Sequence, residues 1–320
     1  MSIEKKLGTV DSAVVPRFSD IATFLRTPRH EIDPVVDIGF VGVPFDLGVN
    51  YRTGARSGPA GVREASRLIR KVHQTSNIKP YDLCNIADLG DAPINPMSKD
   101  ISIDNIEQFF RELKAANIVP IAVGGDHTIP LPILRALVDK DEPIGILHID
   151  AHADVLDTIC DDKINHATFM RRAMEEGILD PKRVIQIGLR GSRFSEDDVK
   201  FSYDVGYEVI TMDDYEEMGR AAVIEKINET LGDGKIYVSI DIDGLDPAYL
   251  PGTGVPEIGG IIPRDMQVIL RSLQGKDVIG ADFAEIAPMY DPTGMTCVTV
   301  ANLMFEIMCI IADNIDRKRD

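Results

Sequence analysis

Cysteine is scarce in this chain of 320 residues, and it never occurs in a metal-binding or redox spacing. The four cysteines are scattered without a Cys-x-x-Cys motif, at Cys84, Cys160, Cys297 and Cys309. This distribution gives no sign of a thiolate zinc site or a disulfide framework. We therefore expect reduced cysteines that lie mostly in the core.

Long apolar runs and flexible linkers are also missing. No window approaches the roughly 20 apolar residues of a membrane span, and residues 1–8 are followed by no apolar stretch of signal-peptide length. We therefore expect a cytoplasmic protein without a membrane partner. Because no linker, repeat or low-complexity segment divides the chain, we predict a single domain over residues 36–320. An irregular arm over residues 1–35 is expected to pack on a neighbouring subunit.

Positive charge is in short supply. Lys and Arg number 34 against 52 Asp and Glu, which gives a formal net charge of -18. Nucleic-acid binding depends largely on neutralising phosphates with Lys and Arg, so this balance argues against a nucleic-acid partner. An acidic surface suits a small cationic substrate instead.

Short apolar runs alternate with segments of helical periodicity along the chain. The strand-like runs lie near residues 36–43, 118–123, 144–149, 184–189, 236–241 and 277–282. The helical segments lie near residues 60–73, 104–115, 129–138, 168–177, 213–231, 264–273 and 297–315. This alternation predicts an α/β fold with a parallel sheet that is covered by helices on both faces.

Potential metal ligands follow two of these strands at spacings of two residues. In an extended backbone, side chains at i and i+2 point the same way, so Asp150, His152 and Asp154 can converge, as can Asp241 and Asp243. Both groups follow buried strands and should meet at the carboxyl edge of the sheet, where ligands bind in open α/β sheets. Four carboxylates at such close range need compensation, for which two divalent cations are the simplest source.

A third strand-like run ends in Gly124-Gly125-Asp126-His127. The glycines let the backbone turn sharply, so we expect His127 to be the sixth ligand at the same edge. His148 shares the direction of Asp150 but lies deeper in the strand, and we interpret it as a core or supporting histidine. The loop 251–260 lacks a phosphate-binding fingerprint and is interpreted as a pocket wall.

These motifs resemble the metal-binding signatures of the ureohydrolases, the arginase and agmatinase family. The resemblance rests on GGDH, DAHAD and SIDID at residues 124–127, 150–154 and 239–243, with further likeness at 42–46, 54–59, 245–247 with 251–254, and 280–285. Segments 15–18, 81–83 and 90–96 look most like the guanidinobutyrase and guanidinopropionase branch.

The resemblance implies a three-layer α/β/α fold with an eight-stranded, mainly parallel sheet (arginase-like) and a binuclear metal centre that hydrolyses a guanidino compound to urea and an amine. It implies that one metal is held by His127, Asp150, Asp154 and Asp241. The other would be held by Asp150, His152, Asp241 and Asp243, so that Asp150 and Asp241 bridge. Manganese is the usual metal of the family, and nickel occurs in some relatives.

The resemblance also implies roles for residues beside the metals. His166 matches the proton-shuttling histidine, Glu285 matches the carboxylate that binds the guanidinium, and Asp154 is expected to accept a hydrogen bond from an amino group of the reacting substrate. The expected substrate contacts are Leu156, Ile159, Asn165, His166 and Glu285. Family members form trimers and hexamers, so a homo-oligomer is expected, with a paralogous second subunit as an alternative.

Two departures from the family pattern concern specificity. Ala167 replaces the Gly that commonly follows the shuttling histidine. The loop 155–162 is expected to line the tail pocket with Leu156, Ile159 and Cys160, and it contains no Arg or Lys, which disfavours a carboxylate tail on the substrate. Agmatine, an N-alkylated guanidine or a biguanide such as metformin then fits better than a guanidino acid.

Two other function classes remain as alternatives. A non-catalytic subunit could keep the fold for assembly alone, although the complete ligand set argues against this. Amide hydrolysis of the deacetylase type uses a related fold but a single zinc. About two metal ions per chain would support the ureohydrolase hypothesis, one ion the deacetylase, and none the assembly subunit.

Overall fold

The computed structural model describes residues 7–319, and at its centre lies a sheet in which all seven strand pairings are parallel. The strands are β1 (Ile38–Gly42), β2 (Ile86–Asp91), β3 (Val119–Val123), β4 (Ile144–Ile149), β5 (Leu179–Leu189), β6 (Glu208–Thr211), β7 (Ile236–Asp241) and β8 (Val278–Ala284). Their order across the sheet is β2-β1-β3-β8-β7-β4-β5-β6. The expected eight-stranded parallel sheet is confirmed.

Helices cover both faces of the sheet. They are α1 (Gly58–Ala65), α2 (Pro80–Leu83), α3 (Lys99–Ala115), α4 (Pro130–Leu137), α5 (Phe169–Glu175), α6 (Lys200–Val205), α7 (Met212–Leu231), α8 (Pro263–Arg271) and α9 (Met295–Arg319). Successive strand residues point to opposite faces, so Phe40 and Ile121 pack with α1, α2, α7, α8 and α9, whereas Val41 and Ala122 pack with α3, α4 and α5. The three-layer α/β/α architecture follows from this division.

The last helix corrects one expectation. We expected no window to approach a membrane span, but α9 is long and apolar enough to cross a membrane by length and composition, with a mean hydropathy of 1.9 in its most apolar window. Most of that window, 78%, is buried inside the fold. Burial against the sheet and against α1, α2 and α8 accounts for this composition.

Two strands were missed by the sequence patterns, and both lie at the edges of the sheet. The segment of β2, Ile-Ala-Asp-Leu-Gly-Asp, carries two acids and a glycine, and β6 has only four residues. Neither segment has the continuous apolar run that marks the inner strands, because β6 is mostly half-buried and β2 is interrupted by the buried Asp88. The short helices α2 and α6 were missed as well, because four to six residues do not establish a helical period.

The part of the N-terminal arm that the structure describes, residues 7–35, contains one short 3-10 helix, Phe24–Arg26. Phe24 and Leu25 are buried in the main core, and the backbone N–H of Phe24 donates to Asp88 Oδ2 at 2.9 Å. Upstream, Val14, Phe18 and Ile21 are 79%, 88% and 86% exposed. The end of the arm therefore packs on its own chain, while its middle offers apolar side chains to solvent.

The cysteines are free, as expected. Cys84, Cys297 and Cys309 are buried, and burial raises the pKa of each thiol. Only Cys160 is exposed. It belongs to the loop 155–162.

Candidate metal centre and active site

The two acidic clusters meet because their strands are neighbours. Strand β4 pairs with β7 so that Ile149 lies opposite Ile240. The next residues, Asp150 and Asp241, therefore leave adjacent strands at the same edge and point to the same face. Both side chains are buried, as is Asp243 in the turn that follows β7. The pairing register thus brings together the acids that the spacing in the sequence predicted.

His127 reaches the same point from β3 through a sharp turn. Gly124 and Gly125 have φ of 91° and 75°, in the left-handed region that favours glycine. The Nδ1 atom of His127 then lies close to three carboxylate oxygens: 3.0 Å from Asp150 Oδ2, 2.9 Å from Asp154 Oδ2 and 3.3 Å from Asp241 Oδ2. These four side chains form the first candidate ligand group.

A second group surrounds His152. Its Nδ1 atom lies 3.2 Å from Asp243 Oδ2 and 3.5 Å from Asp150 Oδ1. Asp150 therefore faces one group with each of its oxygens, as expected of a bridging carboxylate. Asp241 faces His127 with Oδ2 and accepts the backbone N–H of Asp243 with Oδ1, at 2.9 Å.

The hydrogen bonds around His127 occupy one ring nitrogen and make the other, Nδ1, available to a cation. The Ser239 hydroxyl donates to Asp282 at 3.1 Å, so Ser239 Oγ accepts from His127 Nε2, 3.0 Å away. Nδ1 is then the ring nitrogen that faces the carboxylates, and it would offer its lone pair to a cation bound between them. Both His127 Nδ1 and Asp154 Oδ2 are buried without a hydrogen-bond partner among the described residues. A divalent ion with nitrogen and oxygen ligands fits this arrangement.

The electrostatics of the acids point the same way. Burial, with the charges of Asp243 and Asp150, raises the pKa of Asp241 well above its usual range. Burial also raises the pKa of Asp154, and the charge of Asp150 adds to this effect. Burial alone lowers the pKa of His127, but its carboxylate neighbours outweigh it and raise the pKa well above the ordinary value. Divalent cations would relieve this concentration of negative charge.

His166 and Glu285 face each other beside the ligand groups. His166 Nδ1 lies 3.5 Å from Glu285 Oε1, and His166 Nε2 lies 3.2 Å from Asn50 Oδ1. Burial acts to lower the pKa of His166, but the hydrogen bond and charge of Glu285 raise it to about 9. Asn50 was missed in the sequence because no motif surrounds it. The pair offers a buried carboxylate and a protonated imidazole side by side.

Two site residues have a strained backbone. Asp154 and Glu285 have φ of 53° and 59°, in the left-handed region that non-glycine residues rarely adopt. Such conformations cost about 1–3 kcal/mol each and occur preferentially at functional sites. Here the Glu285 backbone N–H donates to Gly125 O at 2.8 Å, which ties the turn carrying Glu285 to the turn carrying His127.

A cavity of about 610 Å³ opens above these groups. Its lining includes His152, Asp154, Asp241, Asp243, His166 and Glu285. Leu156, Ile159 and Ala167 line it as well, as do Val255 and Glu257 from the loop that was interpreted as a pocket wall. Ala167 does not share the positive φ of Asp154, so its backbone has no need of a glycine.

The loop 155–162 forms a tight hairpin. Ile159 and Asp162 exchange backbone hydrogen bonds of 3.0 and 2.9 Å, and the two residues between them have φ of 51° and 63°. Positive φ at both central positions is the mark of a type I′ turn. Cys160 is therefore at the exposed tip and does not line the cavity, contrary to our expectation, whereas Ile159 does.

Asn165 lies behind the cavity wall and outside its lining. It is only 4% exposed, its Nδ2 donates to Asp162 O at 2.8 Å, and its Oδ1 accepts the backbone N–H of Ala167 at 3.1 Å. Both functions of the amide are used within the loop. The structure therefore places Asn165 as a support for the segment that carries His166, and not against a substrate as we expected.

A large part of the cavity wall came from a segment that the motifs did not mark. Residues 190–203, which follow β5, contribute Arg190, Arg193, Phe194 and Tyr203. Arg190 donates to backbone carbonyls only, including Asp243 O and Glu257 O at 2.6 Å each. Arg193 has no hydrogen bond or ion pair within residues 7–319 and is exposed. The position of this segment after a predicted strand was the signal that could have found it.

Comparisons with known proteins cover almost the whole chain. The model of the Arginase family matches residues 36–310. Guanidinopropionase of Pseudomonas aeruginosa is 46% identical over 309 residues, 96% of this chain and 97% of that protein, and guanidinobutyrase of the same organism is 42% identical, covering 93% and 94%. The structure of proclavaminate amidino hydrolase from Streptomyces clavuligerus superposes with a TM-score of 0.89 at 33% identity, covering 93% of this chain and 99% of that one.

Proposed function

The chain belongs to the arginase family, and we propose that it hydrolyses a guanidino compound to urea and an amine at a pair of divalent cations. One observation carries this proposal. Members of both ligand groups, Asp154 and Asp241 from the first and His152 and Asp243 from the second, line one cavity together with the pair of His166 and Glu285. The arrangement supplies metal sites, a carboxylate for the guanidinium and a proton donor together.

Each protein group has a defined task in this reaction. A guanidinium carbon is a poor electrophile, and a pair of divalent cations would supply Lewis acidity that lowers the pKa of a water toward neutrality. Glu285 binds the guanidinium by a charge-assisted hydrogen bond. Asp154 accepts from an amino group of the reacting substrate, and His166 delivers a proton to the nitrogen of the departing amine.

The contact between His166 and Glu285 links substrate binding to proton delivery. Glu285 keeps His166 protonated at neutral pH, since it raises the pKa of His166 to about 9 against the effect of burial. When Glu285 binds the positive guanidinium, its charge is shared and its pull on the His166 proton weakens. The proton is then released more easily to the amine.

Manganese is our first choice for the metal, and nickel is the second. The ligand set joins four carboxylates with two imidazoles, which manganese accepts and nickel does not exclude. We propose two ions per chain, with Asp150 and Asp241 as bridges. Reconstitution of the metal-free chain with each metal, followed by elemental analysis, tests both the identity and the number.

The lining of the cavity supports a substrate with an apolar or N-alkylated tail. Leu156 and Ile159 line the same cavity as His166 and Glu285, and Phe194, Val199 and Tyr203 add apolar side chains to its wall. Burying each methylene of a tail contributes about 0.8 kcal/mol, whereas an unpaired carboxylate costs several times more. Agmatine, N-alkyl guanidines and dimethylbiguanide are the compounds of this class to test.

Guanidino acids are the second candidate, because Arg193 offers an unpaired guanidinium at the cavity wall. The names of guanidinopropionase and guanidinobutyrase connect two relatives with such substrates. In this case Arg193 would bind the tail carboxylate. Arg193→Gln would then raise KM for the acids and leave KM for agmatine unchanged.

A urea-release assay across these compounds, with the manganese- and nickel-loaded chain, tests the proposal. Asp243→Ala, which removes a ligand but not the cavity wall from 155–162, is the metal-site control. Urea release by the loaded chain that is lost in Asp243→Ala supports the proposal. Failure to release urea from any compound, with no bound metal, would support the assembly subunit, and a single ion with amide hydrolysis would support the deacetylase class.

We further propose that the chain forms a homo-oligomer through its N-terminal arm. Val14, Phe18 and Ile21 expose most of their apolar surface, which another subunit would bury. Light scattering of the double variant Phe18→Ser and Ile21→Ser should show a smaller particle. Met97→Ser, at a 90% exposed methionine outside the arm, is the matched control and should change nothing.

A further inference from the structure

A row of buried polar residues crosses the sheet beneath the metal ligands. Gln186, His148, Ser239 and Asp282 lie on the neighbouring strands β5, β4, β7 and β8, and the pairing places each directly beside the next. All four side chains are fully buried. Buried polar groups are costly unless they are hydrogen-bonded, so a row of this kind constrains the orientation of each side chain in it.

The orientation of the Gln186 amide is fixed by its neighbours. Gln186 Nε2 lies 2.8 Å from Ala153 O and 2.9 Å from His148 Nδ1, and Ser202 Oγ donates to Gln186 Oε1 at 2.6 Å. A backbone carbonyl only accepts, so the nitrogen of the amide must face Ala153. The second N–H of the same nitrogen then points to His148.

This orientation determines the tautomer of His148. Its Nδ1 accepts from Gln186, so the ring proton of the neutral imidazole sits on Nε2. Nε2 lies 3.0 Å from Asp150 Oδ2 and donates to it. His148 lies within the same group of potential ligand atoms as His127, Asp150 and Asp154, but a protonated Nε2 has no lone pair for a metal.

We propose that Gln186 is a positioning residue that keeps His148 as a hydrogen-bond donor to Asp150 and out of the metal coordination. This inference rests on the proposed metal centre. Asp150 Oδ1 accepts the backbone N–H of His152 at 2.6 Å, so the donor from His148 fixes the second oxygen of the bridging carboxylate. Mutation of a residue that hydrogen-bonds to a metal ligand typically weakens metal binding by about 10- to 100-fold.

The network also connects the metal centre to the cavity wall. Ser202, which anchors Gln186, lies on α6 beside Tyr203, a residue of that wall. The carboxylate that bridges the ions is therefore joined by three hydrogen bonds to the element that faces the substrate tail. Replacement of Gln186 should therefore change metal affinity more than it changes substrate affinity.

A pair of variants at position 148 tests the role of the donor. His148→Gln places an amide N–H near the position of Nε2, whereas His148→Asn places it near Nδ1. The measurement is the metal dissociation constant of the reconstituted full-length chain, obtained by competition with a chelator. We expect His148→Gln to stay close to the unmodified chain and His148→Asn to bind metal about 10- to 100-fold more weakly. Equal weakening in both variants would show a ligand or packing role and overturn the proposal.

A second pair tests Gln186 itself. Gln186→Met keeps the side-chain length but removes the donor, and Ser202→Ala removes the anchor but leaves the donor and Ala153 in place. We expect weaker metal binding only in Gln186→Met. In the diamagnetic zinc-loaded chain, the ¹⁵N signals of the six histidines should show His148 protonated at Nε2, and Gln186→Met should broaden or shift this signal.

The outcomes separate this inference from the proposed function. If the unmodified chain binds no metal, the proposed function fails and the affinity comparisons cannot be made, but the tautomer of His148 can still be read in the metal-free chain. If the chain binds two ions and His148 carries its proton on Nδ1, the function stands and this inference is wrong.

Discussion

Replacement of His166 should separate proton delivery from metal binding. In His166→Ala the imidazole is lost, and its two polar contacts within the described residues, Glu285 at 3.5 Å and Asn50 at 3.2 Å, are not with proposed metal ligands. We therefore expect both metal ions to remain. The departing amine, however, would have to take its proton from water.

The expected loss can be stated as a free energy. A positioned acid or base typically contributes about 10²- to 10⁴-fold to the rate. At about 1.36 kcal/mol for each factor of ten, the barrier should rise by roughly 2.7–5.4 kcal/mol. Because Glu285 keeps its other hydrogen bond, from the backbone N–H of His127 at 3.0 Å, the change in KM should be small beside the change in kcat.

The assay is urea release at saturating substrate, with elemental analysis of the same samples. His30→Ala, at a histidine of the N-terminal arm, is the matched control and should keep full activity. A His166→Ala variant with normal kcat would refute the proposed role of His166 in proton delivery. Loss of metal from this variant would show that His166 acts through the metal centre instead.

Three further outcomes are expected. Asp150→Ala and Asp241→Ala should each lose both metal ions on dialysis, because each carboxylate is proposed to bridge; retention of two ions in either variant contradicts the assignment. Ile159→Arg should shift kcat/KM toward guanidino acids by placing a cation at the cavity wall, while a preference for acids in the unmodified chain would contradict the apolar-tail proposal. Asp291→Ala should lower the free energy of unfolding by about 1–2 kcal/mol at pH 7, as measured by denaturant titration, because its carboxylate accepts three backbone N–H groups at the start of α9.

The last of these effects has a defined pH window. Burial acts to raise the pKa of Asp291, but the hydrogen bonds from Thr293 and Thr296 lower it from 3.8 to about 2. A group whose pKa is lower in the folded state stabilises the fold above its unfolded pKa. The difference between Asp291→Ala and the unmodified chain should therefore be complete above about pH 4 and shrink as the pH falls toward 2. A constant difference over this range would contradict this reasoning.

The inner sheet and its acidic edge were predictable for physical reasons. A strand that is buried on both faces must be apolar throughout, so β3, β4 and β7 stood out as continuous runs. The period of two residues then gave the direction of Asp150 relative to His152, and the parallel arrangement gave the common edge. The pairing of β4 with β7, two strands far apart in sequence, is what brings the two acidic groups together, and the sequence patterns did not predict it.

The conformations of the loops were not predictable in the same way. Nothing in the composition of 155–162 marks Cys160 as the tip of a type I′ turn, because this turn usually carries Asn or Gly at its central positions. Ion pairs hold the hairpin in place, from Lys99 to Asp162 and from Arg172 to Asp157, and these partners lie on α3 and α5. Contacts between segments far apart in sequence therefore decided which side chains reach the cavity.

The two-residue period of the strands also locates members of the buried polar row beneath the proposed ligands. The same alternation that aims Asp150 at the proposed metal site places His148, two residues earlier, directly below it, and Ser239 stands in the same relation to Asp241. A polar side chain at this depth has no contact with solvent, so it needs a hydrogen-bond partner in the group above it or in a neighbouring strand. His148 donates a hydrogen bond to Asp150, and Ser239 accepts one from His127. In this chain, the buried polar residues two positions before Asp150 and Asp241 both hydrogen-bond to a proposed metal ligand, so the strand period also marks the residues that orient the site.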